Sequence, residues 1–408
     1  MLERTPARVV LVEQYFYPDG WGGAEIPRDI AIGLRAAGLA VDVLCGTEQY
    51  APVPPGAAAP DPRAHGVRIV RVPRLLPGPV RRLRMLRVLW FCLWALPLLL
   101  LRPRVALFMT QTNPPLVVPV VALVAALRRK PFVIIAQDIY PDVLFASGVS
   151  HPRSLAGRLL ARLFAWAYRR AHRVVVLGPV MRERVLRKGV RPGRIATISN
   201  WATGDLRSER GAENPLRVRW GLTGRFVVLY SGNMGVGHEF ETFLGGVARA
   251  SVAYPSLAVV FIGAGSRLAE VREQVRRLGL EGLVRFEDFV SSTALPQTMG
   301  LADLALVTLR EGFEGVIVPS KLYGYMARGI PALYVGPPSD VSQTIEVADC
   351  GACCLPGQTE AVVQLLGRAI ESGEVLRRWS QNGRAYYAAH LSRDRGLAAY
   401  TALAREPM

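Results

Sequence analysis

The chain has 408 residues, half of them apolar and a fifth charged, with 50 lysines and arginines against 32 aspartates and glutamates, a formal net charge of +18. That length predicts two or three domains, and the composition predicts sizeable cores and excludes a largely disordered chain. The positive excess points to an anionic partner: nucleic acid, a phosphorylated small molecule or an anionic membrane surface.

The N-terminal stretch MLERTPARVVLVEQYFYP has neither the apolar region nor the cleavage site of a signal peptide, so none is expected. It enters a predicted strand at Arg8–Val12, a continuous apolar run of the kind buried in parallel sheets. A loop follows, then a helix with apolar spacing through Ile30, Ile32 and Leu34, then a strand at Val41–Gly46. Strand, glycine loop, helix and strand open a βαβ unit. The loop's Gly20-Trp-Gly-Gly23 either admits an anion to backbone N–H groups at a helix start or is an ordinary tight turn. Residues 51–64 form a Pro/Ala-rich loop, and Val67–Val72 is strand-like.

Residues 81–104 read RRLRMLRVLWFCLWALPLLLLRPR. The uncharged stretch Val88–Leu101 is 14 residues long and contains Pro97, whereas a spanning helix needs about 20 apolar residues. Arginines such as Arg84 and Arg87 flank it, and Trp90, Trp94 and Leu98 recur four apart on one helical face. That combination suits a monotopic helix in the interface of an anionic bilayer. A crossover helix packed inside the N-terminal domain satisfies the same length.

Strands are predicted at Val105–Met109, Phe132–Ala136 and Arg173–Leu177, with helical stretches between. Gln137-Asp138-Ile-Tyr-Pro-Asp142 directly follows the second, where carboxylates meet ligand hydroxyls; helix capping by Asp142 is the alternative. Ser199-Asn200-Trp201 reads as a loop with an anchoring tryptophan or as part of a site. A polar, turn-rich break covers 202–224, after which the pattern restarts: strand FVVLYSG, the loop Ser231-Gly-Asn233-Met-Gly235-Val-Gly-His238, a helix over 239–250, then strands at 257–263, 283–289 and 301–309. The expected fold is α/β, two doubly wound Rossmann-like domains facing a central cleft, with ligands at the C-terminal ends of the strands.

The chain has only three lysines, Lys130, Lys188 and Lys321. The last stands in VPSKLYGYMARGIP, where Ser320 is a natural N-cap and Lys321 falls in the first helical turn, where the dipole disfavours a cation. A phosphate bound there explains the placement; a solvated surface lysine is the plain alternative. Further on, Cys350-Gly-Ala-Cys353-Cys354 has no histidine nearby and no second CxxC, which favours buried inert thiols over a zinc site.

Taken together, YPDGWGGAE, DIYPD, ISNWA, YSGNMGVGHEFETF, FIGAG and EGFEGVIVPSKLYGYMARGIP resemble the GT-B fold glycosyltransferases of family 4, in the WbuB-like branch that builds bacterial surface polysaccharides. The resemblance implies retaining transfer of a sugar from a nucleotide-diphosphate donor, with UDP and an N-acetyl amino sugar as the branch-level expectation. It implies a polyprenyl-diphosphate-linked acceptor, an anionic membrane surface at the cytoplasmic face of the bacterial inner membrane, and neither nucleic acid, metal nor cofactor. By position it implies Asp138 and Glu314 as catalytic, and Gly22, Gly23, Asn233, Gly235, His238, Phe289, Glu311, Gly315, Ser320 and Lys321 as donor-binding. The implied domains are 1–205 on the acceptor side, 206–375 for the nucleotide sugar, and C-terminal helices over 376–408 packing back toward the first. The pattern departs from the family at Gly324, where a ribose-binding glutamate is usual, and in the missing Arg/Lys pair of the 231–238 loop. A catalytically impaired membrane scaffold and a nucleotide-sugar 2-epimerase are the competing readings.

Overall fold

A computed structural model describes residues 7–19, 22–49, 60–75, 84–204, 206, 214–288 and 294–408. It divides into two compact units, one of Met1–Asn200 with Arg393–Met408, the other of Trp201–Ser392. Phe289, Gly20 and Trp21 lie outside the described residues.

Unit 1 is built on a seven-stranded parallel sheet of β1 (Arg8–Glu13), β2 (Ala40–Gly46), β3 (Arg68–Val72), β4 (Val105–Gln111), β5 (Phe132–Ile135), β6 (Arg173–Val176) and β7 (Ile195–Thr197), in the order β3-β2-β1-β4-β5-β6-β7. Its helices are α1 (Glu25–Ala36), α2 (Arg84–Leu100), α3 (Val117–Leu127), α4 (Asp142–Ala146), α5 (Leu155–Arg170) and α6 (Pro179–Arg187). Every expected strand of this half is present. The continuous apolar runs become strands covered on both faces, as parallel sheets require: Val9–Val12 and Val133–Ile135 are fully buried. Asp42, buried on β2, is held by Arg8 at 2.8 Å and by the Nε of Arg102 at 2.7 Å.

Unit 2 carries a six-stranded parallel sheet of β8 (Phe226–Ser231), β9 (Leu257–Ile262), β10 (Val284–Glu287), β11 (Leu304–Thr308), β12 (Ala332–Val335) and β13 (Gly351–Cys354), in the order β10-β9-β8-β11-β12-β13. Its helices are α7 (Pro215–Arg219), α8 (Glu241–Ala253), α9 (Leu268–Arg277), α10 (Leu295–Gly300), α11 (Lys321–Ala327), α12 (Asp340–Ala348), α13 (Thr359–Glu371) and α14 (Gly373–Tyr386). Tyr230, Phe240, Phe243 and Phe261 are completely buried and form its aromatic centre. In each sheet the strand order reverses once, between β1 and β4 and between β8 and β11. Those switch points are where open α/β sheets bind ligands.

The C-terminal segment does not behave as one piece. Helix α14 stays with unit 2, because Trp379 is buried there with its indole N–H on Asp349 Oδ1 (3.2 Å), and the Ser380 hydroxyl donates to Gly329 O (2.6 Å). Only α15 (Arg393–Arg405) belongs to unit 1. It lies on α1 through Arg393–Asp29 (2.8 Å) and the donation of Arg405 to Ala37 O (2.8 Å), with Leu397 against Gly33. The division falls after Asn200 rather than at 205, since Trp201 is buried in unit 2 and the Ala202 N–H donates to the Tyr387 hydroxyl there.

Helix α2 places the residues expected at a membrane face in different surroundings. Arg87 is buried and paired with Glu48 at 2.5 Å, and the Trp90 indole N–H donates to Pro73 O at 2.9 Å. Trp94 is exposed, Leu98 is half-buried, and the side chain of Arg84 lies outside what the structure describes. The row Trp90–Trp94–Leu98 therefore runs along the flank of the helix. The residues facing outward are Met85, Leu86, Leu89 and Leu93, roughly a quarter-turn away. No helix among the described residues is long and apolar enough to cross a membrane.

Candidate functional site

In unit 2 the switch point is framed by the loop after β8 and the segment after β11. The loop is fixed from behind by the FIGAG turn. The Gly232 N–H donates to Ile262 O (2.9 Å), the Met234 N–H donates to Ala264 O (2.8 Å), and Met234 O accepts from the Arg267 N–H (3.0 Å). Gly265, at φ +156°, lies so close that a Cβ there would stand 2.2 Å from Met234 O, so only glycine fits. From the front the Gly237 carbonyl accepts from the Arg310 N–H at 2.8 Å, which ties the loop to the segment after β11.

Lys321 opens α11 and reaches back under this loop. Its Nζ sits 3.6 Å from the centre of the Tyr230 ring, and its Cε lies against Gly232. The ammonium is enclosed and has no hydrogen-bond partner among the described residues. Burial without a counter-charge holds it well below the usual lysine range. The Tyr230 face offsets part of that cost through a cation–π contact. The other lysines are spent differently: Lys188 forms an ion pair with Asp142, and Lys130 is exposed.

His238 is buried beside the same ring, its Nδ1 2.9 Å from Thr308 O and 3.1 Å from Thr308 Oγ1. Burial, and next the charge of Lys321, hold its imidazole well below the usual histidine range. The ring is therefore neutral, and because a carbonyl can only accept, Nδ1 carries the proton and Nε2 is left as an acceptor. Asn233 is exposed on the loop while its carbonyl accepts from the Tyr230 hydroxyl at 2.8 Å; Gly235 packs against the Asn233 amide.

After β11, Glu311 and Gly312 are exposed at the tip, whereas Gly315 is buried and Glu314 is half-buried with its Oε2 enclosed. Ser320 occupies the N-cap position of α11 but does not cap: its backbone is already helical and its hydroxyl accepts no N–H. At Gly324, on α11, the carbonyl accepts from Arg328 Nη1 at 2.9 Å, and a Cβ would meet that same nitrogen at 3.4 Å. A guanidinium thus borders the position where the resemblance expects a carboxylate. Glu239 is the residue that sequence reasoning missed. It is buried, its Oε1 accepts from the Thr242 N–H (2.6 Å), and its Oε2 has no hydrogen-bond partner among the described residues. Burial raises its pKa.

In unit 1, Gly22 and Gly23 form the short turn Gly22–Ala24 that runs into α1. Thr112, just after β4, accepts at Oγ1 from the N–H groups of both Gln137 (3.1 Å) and Asp138 (3.0 Å), which fixes the chain as it leaves β5. The Gln137 and Asn200 amides exchange hydrogen bonds of 3.2 and 2.7 Å, so ISNWA serves unit 1 through its asparagine. Burial pushes the Asp138 carboxyl up to about 6. Asp142 does not cap α4; it is the first helical residue after Pro141 and is held by Lys188. Glu13, at the end of β1, is a second missed carboxyl. It is buried, accepts from the Gln111 N–H at 3.1 Å, and burial keeps it well above the usual carboxylate range.

Chemically, unit 2 offers a fixed glycine loop, a neutral histidine and an enclosed lysine amine with no hydrogen-bond partner among the described residues. That set suits a phosphorylated ligand. Unit 1 offers a carboxyl poised to exchange a proton near neutral pH.

Residues 22–201 match the family model described as "Glycosyl transferase 4-like domain", and residues 216–386 match "Glycosyl transferases group 1". The chain is 30% identical over 269 residues to "Probable glycosyltransferase WbjE" of Pseudomonas aeruginosa, covering 64% of this chain and 66% of that protein. It is 26% identical over 251 residues to "Alpha-D-kanosaminyltransferase" of Streptomyces kanamyceticus, covering 59% and 63%. The match thus spans just under two thirds of these relatives. Among solved structures, the Anabaena Alr3699/HepE complex with UDP and glucose superposes with a TM-score of 0.73 at 17% identity, over 98% of this chain and 99% of that one. WaaG, described as involved in lipopolysaccharide biosynthesis, does so with 0.67 at 15%, over 96% and 99%. At those identities the superpositions show the fold.

Proposed function

The chain belongs to the family 4 GT-B glycosyltransferases, and on that premise we propose that it transfers a sugar, with retention, from a UDP-linked donor to a lipid-linked acceptor in bacterial surface-polysaccharide synthesis. The observation that carries the donor half is Lys321: an ammonium buried without a partner is costly unless a ligand supplies the missing anion. A donor diphosphate does so, as a point-charge contact for which a compact ammonium is suited. The backbone around Gly235 and the neutral His238 complete the phosphate side, and Glu314 and Gly315 face the sugar. As the bond from the sugar's anomeric carbon to the diphosphate breaks, negative charge grows on the leaving phosphate, and Lys321 stabilises it there.

The acceptor hydroxyl forms the new bond to the same carbon and gives up its proton. Asp138 is suited to take it, because a carboxyl raised to about 6 is a stronger base than an ordinary one and still ionised at pH 7. An N-acetyl amino sugar on UDP is the donor we infer from the branch the motifs resemble. The 24% identity to "Putative colanic acid biosynthesis glycosyl transferase WcaI" of Escherichia coli supports a polysaccharide setting; an acceptor carried on a polyprenyl diphosphate at the cytoplasmic membrane face is what we infer from the branch the motifs resemble.

A thermal-shift screen of nucleotide sugars tests the donor assignment. A ligand at 100 times its Kd stabilises by about 2.7 kcal/mol. UDP-sugars are expected to raise the melting temperature, and a response confined to other nucleotides, or to none, rejects the assignment.

A further inference from the structure

We infer that Arg267 is the positioning residue of the donor loop, holding the turn 234–238 and the start of α8 as one rigid piece against which a diphosphate binds. The inference deepens the UDP-donor reading, on which it rests for the ligand alone.

The loop after β8 has neither lysine nor arginine from Gly232 to His238. What it gives a phosphate therefore comes from backbone N–H groups, and such donors are effective when their directions are fixed before the ligand arrives. Arg267, which follows the tight turn at Gly265, supplies that constraint twice. Its own N–H donates to Met234 O at 3.0 Å, and its Nη1 donates to His238 O. The backbone and the side chain of one residue thereby take the carbonyls at both ends of the turn.

The rest of the guanidinium is taken up by α8 and α9. Nη2 pairs with Glu241, the first residue of α8, and with Glu270 at 2.5 Å, while Nε donates to Glu270 Oε2 at 2.9 Å. Glu241 in turn accepts the Phe240 N–H at Oε2 (3.0 Å), which carries the network back to the chain just after the turn. The Arg267 side chain is only 11% exposed, whereas both carboxylates are about half exposed. Reaching the turn, α8 and α9 at once takes the planar fork of a guanidinium; a compact ammonium does not span them. Two carboxylates around one guanidinium leave no positive charge over for a ligand, so Arg267 acts on a diphosphate through the backbone it holds and not by attraction. Ion pairs this open contribute little to stability, so the effect of the network falls on the order of the loop and not on the fold.

Hydrogen exchange of the purified full chain, read by mass spectrometry over the peptide containing 232–240, tests the clamp without any ligand. Arg267→Met is expected to speed exchange there about tenfold or more, with little change in melting temperature. Titrations with UDP and with uridine test what the clamp serves. Arg267→Met is expected to weaken UDP about tenfold and to leave uridine, which has no phosphate, at its wild-type affinity. Arg267→Lys keeps the charge without the fork and is expected to follow Arg267→Met in both experiments. Arg276→Ser, which breaks the exposed Arg276–Glu273 pair on α9, is expected to match the wild type. Unchanged exchange in Arg267→Met, equal losses of UDP and uridine, or wild-type behaviour of Arg267→Lys overturns the inference. If the wild type binds no UDP, the donor reading fails and the exchange experiment still decides the clamp. If Arg267→Met lowers the melting temperature, Arg267→Lys decides.

Discussion

Replacing Lys321 by methionine keeps the length and apolar stem of the side chain and removes the charge. Among the described residues the enclosed ammonium has no hydrogen-bond partner, and the Tyr230 ring, 3.6 Å away, is what offsets its lost hydration. The ring returns about 2 kcal/mol at best, whereas burying an ion costs several. The substitution is therefore expected to stabilise the unliganded protein, by about 1–2 kcal/mol. The same change removes a charge-assisted contact with phosphate worth about 1.5–3 kcal/mol, which weakens UDP binding about 10- to 150-fold. Because burial holds the folded-state pKa below the unfolded value, the unfolded chain keeps its proton to higher pH. Wild-type stability consequently rises with pH from the folded pKa up to the ordinary lysine value of about 10.4, and the methionine variant loses that slope. Calorimetric melting across pH and UDP titration of both proteins read all three effects. A variant that is less stable yet binds UDP as tightly as the wild type would refute the reasoning.

Three further substitutions probe the rest of the site. Asp138, raised to about 6 in the folded state, contributes stability that is full below about pH 4 and lost as pH rises through 6; Asp138→Asn is expected to flatten that part of the pH–stability curve, which spans at most about 3 kcal/mol, and to abolish transfer. Urea melts at pH 4 and 7 together with a transfer assay check both. Gly265→Ala forces a Cβ to within 2.2 Å of Met234 O and should cost about 2–4 kcal/mol in a chemical melt while weakening UDP binding, because the loop it displaces is the one that Lys321 lies under. At Gly324 an added Cβ stands 3.4 Å from Arg328 Nη1, in ordinary contact, so the fold should tolerate Gly324→Ala and gain up to about 1 kcal/mol of helix propensity; a marked fall in melting temperature contradicts the space seen at that position.

The parts of the molecule that the sequence made legible are those governed by local pattern. The strands of the first unit and the restart after residue 224 follow from continuous apolar runs, which only a two-sided parallel sheet buries fully. Strands β12 and β13 go unpredicted because ALYV and GACC are four residues long, and glycine carries no strand signal. The surroundings of α2 are not local in origin. Trp90 and Arg87 look like interface anchors until Pro73 and Glu48, distant in the chain, claim them. Lys321 stood out by rarity and position, but its place over the Tyr230 ring and its isolation depend on tertiary packing. Glu13 and Glu239 gave no signal at all, since a buried carboxyl is indistinguishable from a solvated one in a string of letters.

The most direct measurement of the central claim is transfer itself. Purified protein is incubated with UDP-N-acetylhexosamines and bacterial polyprenyl-diphosphate-linked acceptor, with UDP release followed and the linkage of the product read by NMR. Stoichiometric UDP release with an α-linked product from an α-configured donor, lost in Lys321→Met, is the predicted result. An inverted linkage, or transfer that Lys321→Met leaves unchanged, would contradict the account.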